Sequence, residues 1–457
     1  MADYLPHTDA EVDEMLGFLG LSRIDELFDA VPAALRLAGG LDLDDGLSEP
    51  DVVAEFEALG ARNRPVGRDL ICFAGAGAYD HEVPAVVRAL ASRSEFVTAY
   101  TPYQAEVAQG VLQAVFEFQT MVARLAGLPV ANASLYDGAS ALVEAINLCV
   151  GATGRQRVLV SSGVHPHWRA VARTMAQGTG HRLEEVPLVA GRTDWSAAAA
   201  DAEPVGVVVV AQPNWLGCLE DLTAAKTVAH AAGALFVVTA DPVAAGVLRA
   251  PGELGADVVV GEGQALGTRL SFGGPYLGLF ACAREQVRRL PGRLVGETVD
   301  VAGTRGYVTT LRAREQDIRR EKATSNVCTN QTLMAVTAAI QLSWLGPKGL
   351  AEIATRSAQA AHYCFDQLTA LNGVVPATTG PFLREFAVET PAPADVVLAR
   401  LADEGFLGGI AAASLTGAGD LSVRADARER TIVIALTERR TRAEIDALVT
   451  AFDKAVR

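Results

Sequence analysis

The chain has 457 residues, half of them apolar, with 39 basic and 54 acidic residues and a net charge of −15. This length predicts two or three domains with sizeable cores, and the acidic balance, without any long basic run, disfavours a nucleic-acid partner. Because the amino terminus lacks a basic and apolar leader and no run reaches about 18 apolar residues, we expect a cytoplasmic chain that does not enter a membrane.

The first predicted element is a helical arm over residues 1–69. Apolar side chains recur at helical spacing within 10–62, as in the segment IDELFDAV, and a loop interrupts the pattern at 38–49. We expect an arm or cap rather than an independent domain.

A large α/β domain is predicted next, over residues 70–305. Four apolar, β-rich runs, at 157–161, 205–211, 235–240 and 257–261, alternate with segments of helical length and pattern. Strands that are apolar throughout, rather than at every second position, indicate a sheet covered on both faces. The prediction is therefore a mostly parallel α/β/α domain.

The remainder is predicted to be a connecting segment with a helix at 306–345 and a small α+β domain at 346–457. Long helical patterns precede short strands and a closing helix, RAEIDALVTAFDKAV. The six cysteines are far apart in the sequence and no HExxH motif occurs, so we predict reduced thiols and assign no metal.

Ligands of open α/β sheets bind at the carboxyl ends of the strands, so residues there are the first site candidates. Gly138, Ala139 and Ser140 open a helix whose amide groups either bind a phosphate or form an ordinary helix cap. Asn214 follows a buried strand and either binds a ligand or forms a turn. Asp241 ends another strand and either pairs with a pyridinium nitrogen or caps a turn.

The order and spacing of these segments resemble those of the fold-type I pyridoxal phosphate-dependent transferases. Longer motifs resemble one family, the glycine cleavage system P-protein: FAGAGAYDHEVPAVV (73–87), SEFVTAYTPYQAEVAQG (94–110), LPVANASLYDGASA (128–141), VVGEGQALGTRLSFGGPYLG (259–278), PGRLVGETVD (291–300) and IRREKATSNVCTNQTL (318–333). The likeness spans nearly the whole chain. It is to the amino-terminal half of the long form, which in many bacteria is a separate α subunit.

The resemblance implies two related halves, of which only the β half carries the lysine that binds pyridoxal phosphate covalently. This chain has no lysine between Asp241 and the segment GGPYLG at 273–278, and Gln264 occupies the approximate place of that lysine. Because an amide nitrogen cannot form a Schiff base, we expect no covalent cofactor on this chain and no glycine decarboxylation by this chain alone.

For the complex, the resemblance implies release of carbon dioxide from glycine and transfer of the aminomethyl group to the lipoyl arm of H-protein. The implied partner is a β subunit that binds most of the pyridoxal phosphate, in an α2β2 heterotetramer. This chain would complete the pocket of the site and the docking surface.

In dimers of this fold, loops from the neighbouring chain close the pocket, so the segments TAYTPYQ and REKATSN are candidates for contact with the partner's site. Tyr100 and Tyr103 either line that site or belong to a plain interface. The second segment supplies basic residues that attract an anion or face solvent, and polar residues that present hydroxyl and amide groups or cap the next helix: Arg319, Arg320, Lys322, Thr324, Ser325 and Asn326.

His165 follows the strand at 157–161, where members of this fold family stack a ring on the cofactor. Without the lysine, we interpret His165, Asn214 and Asp241 as vestigial or structural. Two other hypotheses stay open. One is a non-catalytic structural or regulatory scaffold for the β subunit, and the other is a self-sufficient lyase using Lys322, which its charged surroundings disfavour.

Overall fold

Two units make up the chain, Met1–Arg64 and Pro65–Arg457. The computed structural model describes residues 6–37, 41–98, 102–196, 203–271 and 273–457. Within these ranges, no helix has both the length and the apolar character that a membrane crossing requires. The same ranges contain no group of three or more His, Cys, Asp or Glu side chains able to hold a metal ion.

Among the described residues of the first unit, 6–37 and 41–64, lie two α-helices, α1 (Asp9–Leu19) and α2 (Glu49–Gly60), with two short 3-10 helices between them. Thr8 and Glu11 form a reciprocal capping box at α1, in which the Thr8 amide donates to Glu11 Oε2 at 2.7 Å. At α2 the Ser48 hydroxyl accepts the amide of Asp51. Both helices therefore begin at residues whose side chains satisfy free amide groups of the first turn.

The second unit contains the remaining strands and helices. Its strands are β1 (Ile71–Cys72), β2 (Val130–Ala131), β3 (Arg157–Ser161), β4 (Arg182–Val186), β5 (Leu188–Val189), β6 (Arg192–Thr193), β7 (Val205–Gln212), β8 (Leu235–Ala240), β9 (Val258–Glu262), β10 (Gly278–Cys282), β11 (Leu294–Val299), β12 (Arg305–Thr310), β13 (Val375–Pro376), β14 (Glu385–Glu389), β15 (Phe406–Leu407), β16 (Ile410–Ala411) and β17 (Thr431–Ala435). Its helices are α3 (Ala85–Ala91), α4 (Ser94–Val97), α5 (Gln109–Ala126), α6 (Gly138–Thr153), α7 (Pro166–Thr179), α8 (Leu222–Ala232), α9 (Gln316–Arg319), α10 (Thr332–Thr369), α11 (Ala394–Asp403), α12 (Ala412–Leu415) and α13 (Arg442–Val456).

The central sheet has seven strands in the order β2-β10-β9-β8-β7-β3-β4. Strands β4, β3, β7, β8 and β9 are parallel, whereas β10 is antiparallel to both β9 and β2. The predicted mostly parallel sheet is confirmed, and its four predicted strands correspond to β3, β7, β8 and β9.

Both faces of this sheet are covered, which explains the absence of polar alternation along its strands. Val208 and Val210 of β7 pack with residues of α5, α8 and α10 in one apolar cluster. Val207 and Val209 face the opposite way and pack with residues of α6 and α7 in a second cluster. Successive side chains of a strand point to opposite faces, so the buried run 207–211 of β7 is apolar at every position.

The carboxyl-terminal part is an antiparallel sheet in the order β13-β14-β17-β16, covered by α11, α13 and the second half of α10. Helix α10 is kinked at Gly346, whose φ of 58° lies in the left-handed region, and Pro347 follows directly. The antiparallel hairpin of β11 and β12 was not anticipated from the sequence, which indicated the end of the large domain at 305 and a connecting segment from 306 onward.

The segment after β1 brings residues 73–82 to the ends of the central strands. The Phe73 amide donates to the Leu407 carbonyl at 2.8 Å, and the Ala435 amide donates to the Phe73 carbonyl at 2.9 Å. Because this segment is bonded on both sides, Gly77 and Tyr79 are fixed at the edge of the cavity described below.

Candidate functional site

A cavity of about 80 Å³ lies at the carboxyl ends of β3, β7, β8 and β9, and Gly77, Tyr79 and Arg384 close it from outside the central sheet. Four of the residues predicted from the sequence line it, namely His165, Asn214, Asp241 and Gln264. Parallel strands end at one edge of a sheet, which is why residues so distant in sequence meet here.

The side chain of Gln264, which is 1% exposed, is held by the backbone on both of its polar atoms. Its Oε1 accepts the Tyr79 amide at 2.9 Å, and its Nε2 donates to the carbonyls of Tyr79 at 3.1 Å and Thr268 at 2.6 Å. Both amide protons are therefore used. Gln264 fills its position as a structural tie between segment 73–82 and the turn after β9.

Asp241 is paired with a buried arginine of the carboxyl-terminal part. Arg384 Nη2 lies 2.7 Å from Asp241 Oδ2, and the guanidinium carbon lies 3.7 Å from the centre of the Tyr79 ring. Arg384 also donates to His81 Nε2, and His81 Nδ1 donates to Glu438 Oε2 at 2.6 Å. Burial alone would lower the pKa of Arg384, but the facing carboxylate of Asp241 raises it, so the pair is an ion pair.

Glu385, beside Arg384, does not line the cavity but holds segment 73–82 in place. Its Oε1 accepts the Ala76 amide at 2.6 Å and its Oε2 accepts the Tyr79 hydroxyl at 2.9 Å. Burial raises the pKa of Glu385 to about 7 in spite of these hydrogen bonds. Burial likewise raises the pKa of Tyr79 well above its ordinary value, so the phenol keeps its proton and donates.

The amino terminus of α6, for which the sequence left phosphate binding and ordinary capping open, is occupied by carboxylates of the chain itself. Glu262 Oε2 accepts the Gly138 amide at 2.9 Å, and Glu262 Oε1 accepts the amides of Gln264 and Leu277, each at 2.9 Å. Burial raises the pKa of Glu262 to about 7, and the three amide donors oppose that rise. Asp137 caps the same turn by accepting the Ser140 amide at 2.7 Å.

Trp168 further closes this end of α6. A Cβ atom at Gly138 would lie 2.2 Å from the outer ring atoms of Trp168, so the indole rests directly against the glycine. Of the three residues predicted here, Gly138 contacts the cavity-lining Trp168 and Glu262, whereas Ala139 and Ser140 are not among the lining residues.

His165 and Asn214 line the cavity with their polar atoms bonded elsewhere. His165 Nε2 donates to the Ala76 carbonyl at 2.8 Å, Nδ1 accepts the His167 amide, and burial lowers the pKa of His165 to about 4, so the ring is neutral. Asn214 Nδ2 donates to Gly191 and Glu220, each at 2.8 Å, and its Oδ1 accepts two amides of the turn that follows.

These donors and acceptors do not fit pyridoxal phosphate, the cofactor that the fold family implies. Asp241, the carboxylate expected to face the ring nitrogen, is neutralised by Arg384. The position expected for the lysine holds Gln264, whose amide group is hydrogen-bonded to the backbone. A phosphate dianion at α6 would meet Glu262 and Asp137 where it needs free amide groups. The cavity is also smaller than the roughly 300 Å³ at which ligand pockets begin.

The candidates for contact with a partner lie in a second cluster. Tyr103 is 53% exposed, and its hydroxyl accepts a hydrogen bond of 3.0 Å from Arg293 Nη2. The same nitrogen donates to the Cys328 carbonyl at 3.0 Å. Arg293 therefore joins the segment TAYTPYQ to the residues that follow REKATSN, although Tyr100 lies outside the described residues.

Most of the remaining candidates face solvent. Arg319, Arg320 and Lys322 are exposed on short turns, and no ion pair joins them to another residue of the described ranges. Thr324 and Asn326 are exposed as well. Ser325 is half-buried, and its hydroxyl accepts the Val327 amide at 3.1 Å.

Sequence reasoning missed three residues that line the cavity, Tyr79, Glu262 and Arg384, and also Glu385, which holds segment 73–82. Glu262 ends a predicted strand, as Asp241 does, and that position was the signal for it. Arg384 and Glu385 carried no such signal because their strand belongs to the other sheet.

Known proteins that resemble this chain agree with one another. The sequence model of the glycine cleavage system P-protein matches residues 2–452. A protein of Chlorobium chlorochromatii is 47% identical and one of Moorella thermoacetica is 48% identical, and each alignment covers 98% of both chains. Both are named probable glycine dehydrogenase (decarboxylating) subunit 1.

Solved structures resemble this chain at high and at low sequence identity. The crystal structure of an inhibitor-bound glycine decarboxylase (P-protein) of the glycine cleavage system is 46% identical, with a TM-score of 0.89 over 99% of this chain and 100% of that one. The Escherichia coli cysteine desulfurase CsdA, at 18% identity and a TM-score of 0.61, shares only the fold, covering 90% of this chain and 99% of that one. The fold is thus that of the fold-type I pyridoxal phosphate-dependent enzymes, as predicted.

Proposed function

This chain belongs to the glycine cleavage system P-protein family, and we propose that it is the α subunit of a two-chain glycine decarboxylase. With a β subunit it would release carbon dioxide from glycine and pass the aminomethyl group to the lipoyl arm of H-protein. Pyridoxal phosphate would be bound by the β subunit, and this chain would be inactive alone.

One observation carries this division of labour: the cavity at the strand ends is closed by the chain's own side chains. Gln264 uses both amide protons on backbone carbonyls, and Arg384 neutralises Asp241. No lysine is among the cavity's lining residues. A covalent site for the cofactor must therefore come from another chain, because Schiff-base formation requires a free amine.

The contribution of this chain to the shared site is assigned to Tyr103 and to segment 318–330. Tyr103 presents an exposed ring and hydroxyl, and Arg319, Arg320 and Lys322 offer exposed positive charge without a partner among the described residues. Tyrosine and arginine are common anchors of interfaces, and arginine suits carboxylate or phosphate groups. We place these residues at the edge of the partner's pocket.

The proposed assembly is an α2β2 heterotetramer in the cytoplasm. All six cysteines are free thiols, five of them buried, which suits a reducing compartment. Sedimentation of the two co-expressed chains measures the stoichiometry directly.

The test of the division of labour is borohydride reduction of each purified chain after addition of pyridoxal phosphate. A pyridoxyl group is expected on a lysine of the β subunit and none on this chain. Covalent labelling of Lys322 or any other lysine here would overturn the proposal and favour an independent lyase. Exchange of carbon dioxide with the carboxyl group of glycine should need both chains and H-protein.

The variants Tyr103→Ala and Arg320→Ala distinguish the shared-site proposal from the scaffold hypothesis when assembly and turnover of the complex are both measured. A shared site predicts lost turnover with intact assembly. Unchanged assembly together with unchanged turnover in both variants would favour the scaffold. Arg442→Ala is the control, because Arg442 is exposed at the start of α13 and its contacts are with Asp446 and Tyr363, which belong to neither segment.

A further inference from the structure

The guanidinium of Arg293 joins two segments that are far apart in the sequence. Its Nη2 donates to the Tyr103 hydroxyl and to the Cys328 carbonyl, both at 3.0 Å. Its Nη1 donates to Thr329 Oγ1 at 3.3 Å and, at the outer limit, to Asn330 Oδ1 at 3.5 Å. Its central carbon also lies 4.8 Å from the centre of the Tyr103 ring. One side chain thus fixes both the tyrosine and the chain ahead of α10.

Arg293 is itself held in place by the backbone around it. Its carbonyl accepts the Ala133 amide at 2.9 Å. Two residues later, the amide and carbonyl of Val295 are both bonded to the side chain of Gln119 on α5, each at 2.9 Å. These bonds tie Arg293 to the rigid core, so it can act as a fixed support.

The loop that contains Ala133 and Ser134 also holds Asn330, which Arg293 contacts, and Gln331, which follows it. Asn330 Nδ2 donates to the Ala133 carbonyl at 2.8 Å, and the Gln331 amide donates to Ser134 Oγ at 3.1 Å. Ser134 has a φ of 107°, an uncommon conformation for a residue other than glycine. A non-glycine residue keeps such a conformation only where its surroundings enforce it, and here Ser134 is bonded to Asn132, Asn330 and Gln331.

Arg293 lies beneath this surface rather than on it. It is 7% exposed, whereas Tyr103 is 53% exposed. Arg293 can therefore act on a neighbouring chain only through the groups that it holds. Lysine cannot replace it, because a single ammonium lacks the planar set of donors that spans the tyrosine hydroxyl and the backbone carbonyl together.

We propose that Arg293 is the positioning residue for the surface this chain contributes to the shared site, holding Tyr103 and residues 328–330 as one unit. The inference rests on the proposed function. Loss of the Arg293 fork would leave the fold and the assembly intact but let the tyrosine and the segment move independently. A displacement of about 1 Å in such a group lowers turnover by up to 100-fold.

The test uses the co-expressed complex of both chains carrying Arg293→Lys, Tyr103→Phe or both. Arg293→Lys is expected to lower kcat about 10- to 100-fold with assembly and melting temperature close to those of the wild type. The double variant should be no slower than Arg293→Lys alone, since both changes break one contact. Arg305→Lys is the matched control, because Arg305 is an exposed arginine 5.9 Å from the ring of Tyr307, and it should stay within twofold of the wild type.

A kcat for Arg293→Lys within twofold of the wild type would overturn the inference. It would also be overturned if the fold loss in kcat of the double variant equalled the product of the fold losses of Arg293→Lys and Tyr103→Phe, because the two changes would then act independently. Loss of turnover in Tyr103→Ala without loss in Arg293→Lys overturns this inference alone. No loss in either, with the complex assembled, overturns the shared surface of the proposed function. If Arg293→Lys does not fold, Tyr103→Phe carries the test, because it removes only the hydroxyl that Arg293 holds, and an unchanged kcat would refute the positioning role.

Discussion

The side chain of Gln264 and the backbone of Tyr79 form a closed pair, in which the glutamine amide accepts the Tyr79 N–H at 2.9 Å and donates to the Tyr79 carbonyl at 3.1 Å. The pair resembles one rung of a β-ladder, formed by a side chain. It keeps segment 73–82 against the end of β9, where a catalytic lysine of this fold would need open space.

Gln264→Lys should therefore destabilise the chain without creating activity. The lysine leaves the Tyr79 amide without its acceptor and places an ammonium group at a site that is 1% exposed. An unsatisfied buried donor together with a buried charge costs about 2–4 kcal/mol of unfolding free energy. Urea unfolding measures the loss, and glycine decarboxylation by the isolated variant would refute the interpretation.

Gln264→Met is the control for the change to lysine. It removes the acceptor of the Tyr79 amide, as lysine does, and also the two hydrogen bonds to the carbonyls of Tyr79 and Thr268, to which an ammonium can still donate. Because it adds no buried charge, it should still cost less than Gln264→Lys. A loss in Gln264→Met as large as that in Gln264→Lys would contradict a dominant cost of burying the ammonium.

Removing one partner of the buried pair of Asp241 and Arg384 should destabilise the chain more than replacing both partners by apolar side chains. Asp241→Ala leaves a guanidinium that is 3% exposed without its carboxylate, and breaking a buried ion pair costs about 3–5 kcal/mol. Changing both residues to apolar side chains of similar size, Asp241→Leu with Arg384→Met, should recover part of that loss. The unfolding free energies of the wild type, Asp241→Leu, Arg384→Met and the double variant form a double-mutant cycle.

Arg312 and Asp317 provide the matched control for this cycle. Their atoms lie 3.3 Å apart, but the side chains are 43% and 53% exposed. Arg312→Ala should change the unfolding free energy by less than about 1 kcal/mol, because solvent screens the charges of an exposed pair. A loss at Asp241 no larger than the loss at Arg312 would contradict the buried-pair account.

Glu385 should make stability fall as the pH rises from about 4.5 to about 7. Its pKa is raised from 4.5 to about 7 by burial, so across that window the folded chain binds a proton that the unfolded chain has released. The unfolding free energy contributed by this group thus falls by up to about 3 kcal/mol across the window, and the loss is complete above pH 7. Glu385→Gln should remove the share of this slope that Glu385 contributes, because an amide does not titrate, and should leave the share of Glu262, whose pKa burial also raises to about 7. The new amide oxygen can still accept the Ala76 amide, and the new NH2 group would donate to the Tyr79 hydroxyl oxygen.

The slope must be measured as the difference between the variant and the wild type. His165 acts in the opposite sense, since its pKa is lowered to about 4 and stability therefore rises with pH between about 4 and 6.5. Glu297→Gln, at an exposed position of β11, is the control. Parallel pH profiles of unfolding for Glu385→Gln and the wild type would rule out the proposed role of Glu385.

The sequence predicted the residues of the site that follow the buried strands of the central parallel sheet. Asp241 and Asn214 follow Val-rich strands that had to be buried on both faces, so their place at the strand ends could be inferred from periodicity and topology. The partners of these residues could not. Arg384 arrives from the antiparallel sheet, and its pairing with Asp241 depends on how the two sheets meet, which no local spacing encodes.

The same limit applies to Gly138. A helix that begins with Gly, Ala and Ser is compatible with either phosphate binding or capping, and the sequence left both open. Glu262 and Trp168 exclude the phosphate, and both come from other elements of the chain. The functional meaning of the motif depends on its neighbours in space.

Gly138→Ala should therefore be destabilising, although glycine is ordinarily a poor residue in a helix. The new methyl group would lie 2.2 Å from the ring of Trp168, and overpacking of this kind costs about 1–3 kcal/mol. Gly151→Ala in the same helix is the matched control. No atom lies within 4 Å of its added Cβ, so the usual preference for alanine should stabilise α6 by about 0.5–1 kcal/mol.

Trp168→Phe should rescue Gly138→Ala. The two indole atoms nearest the new Cβ lie on the outer edge of the double ring, and the smaller single ring of phenylalanine removes them. The double variant should thus be more stable than Gly138→Ala alone, even though Trp168→Phe by itself removes buried contacts. Chemical unfolding of the four chains gives the coupling free energy. Additive losses would mean that the methyl group is accommodated by movement of α6, and that Trp168 does not close the helix terminus as described.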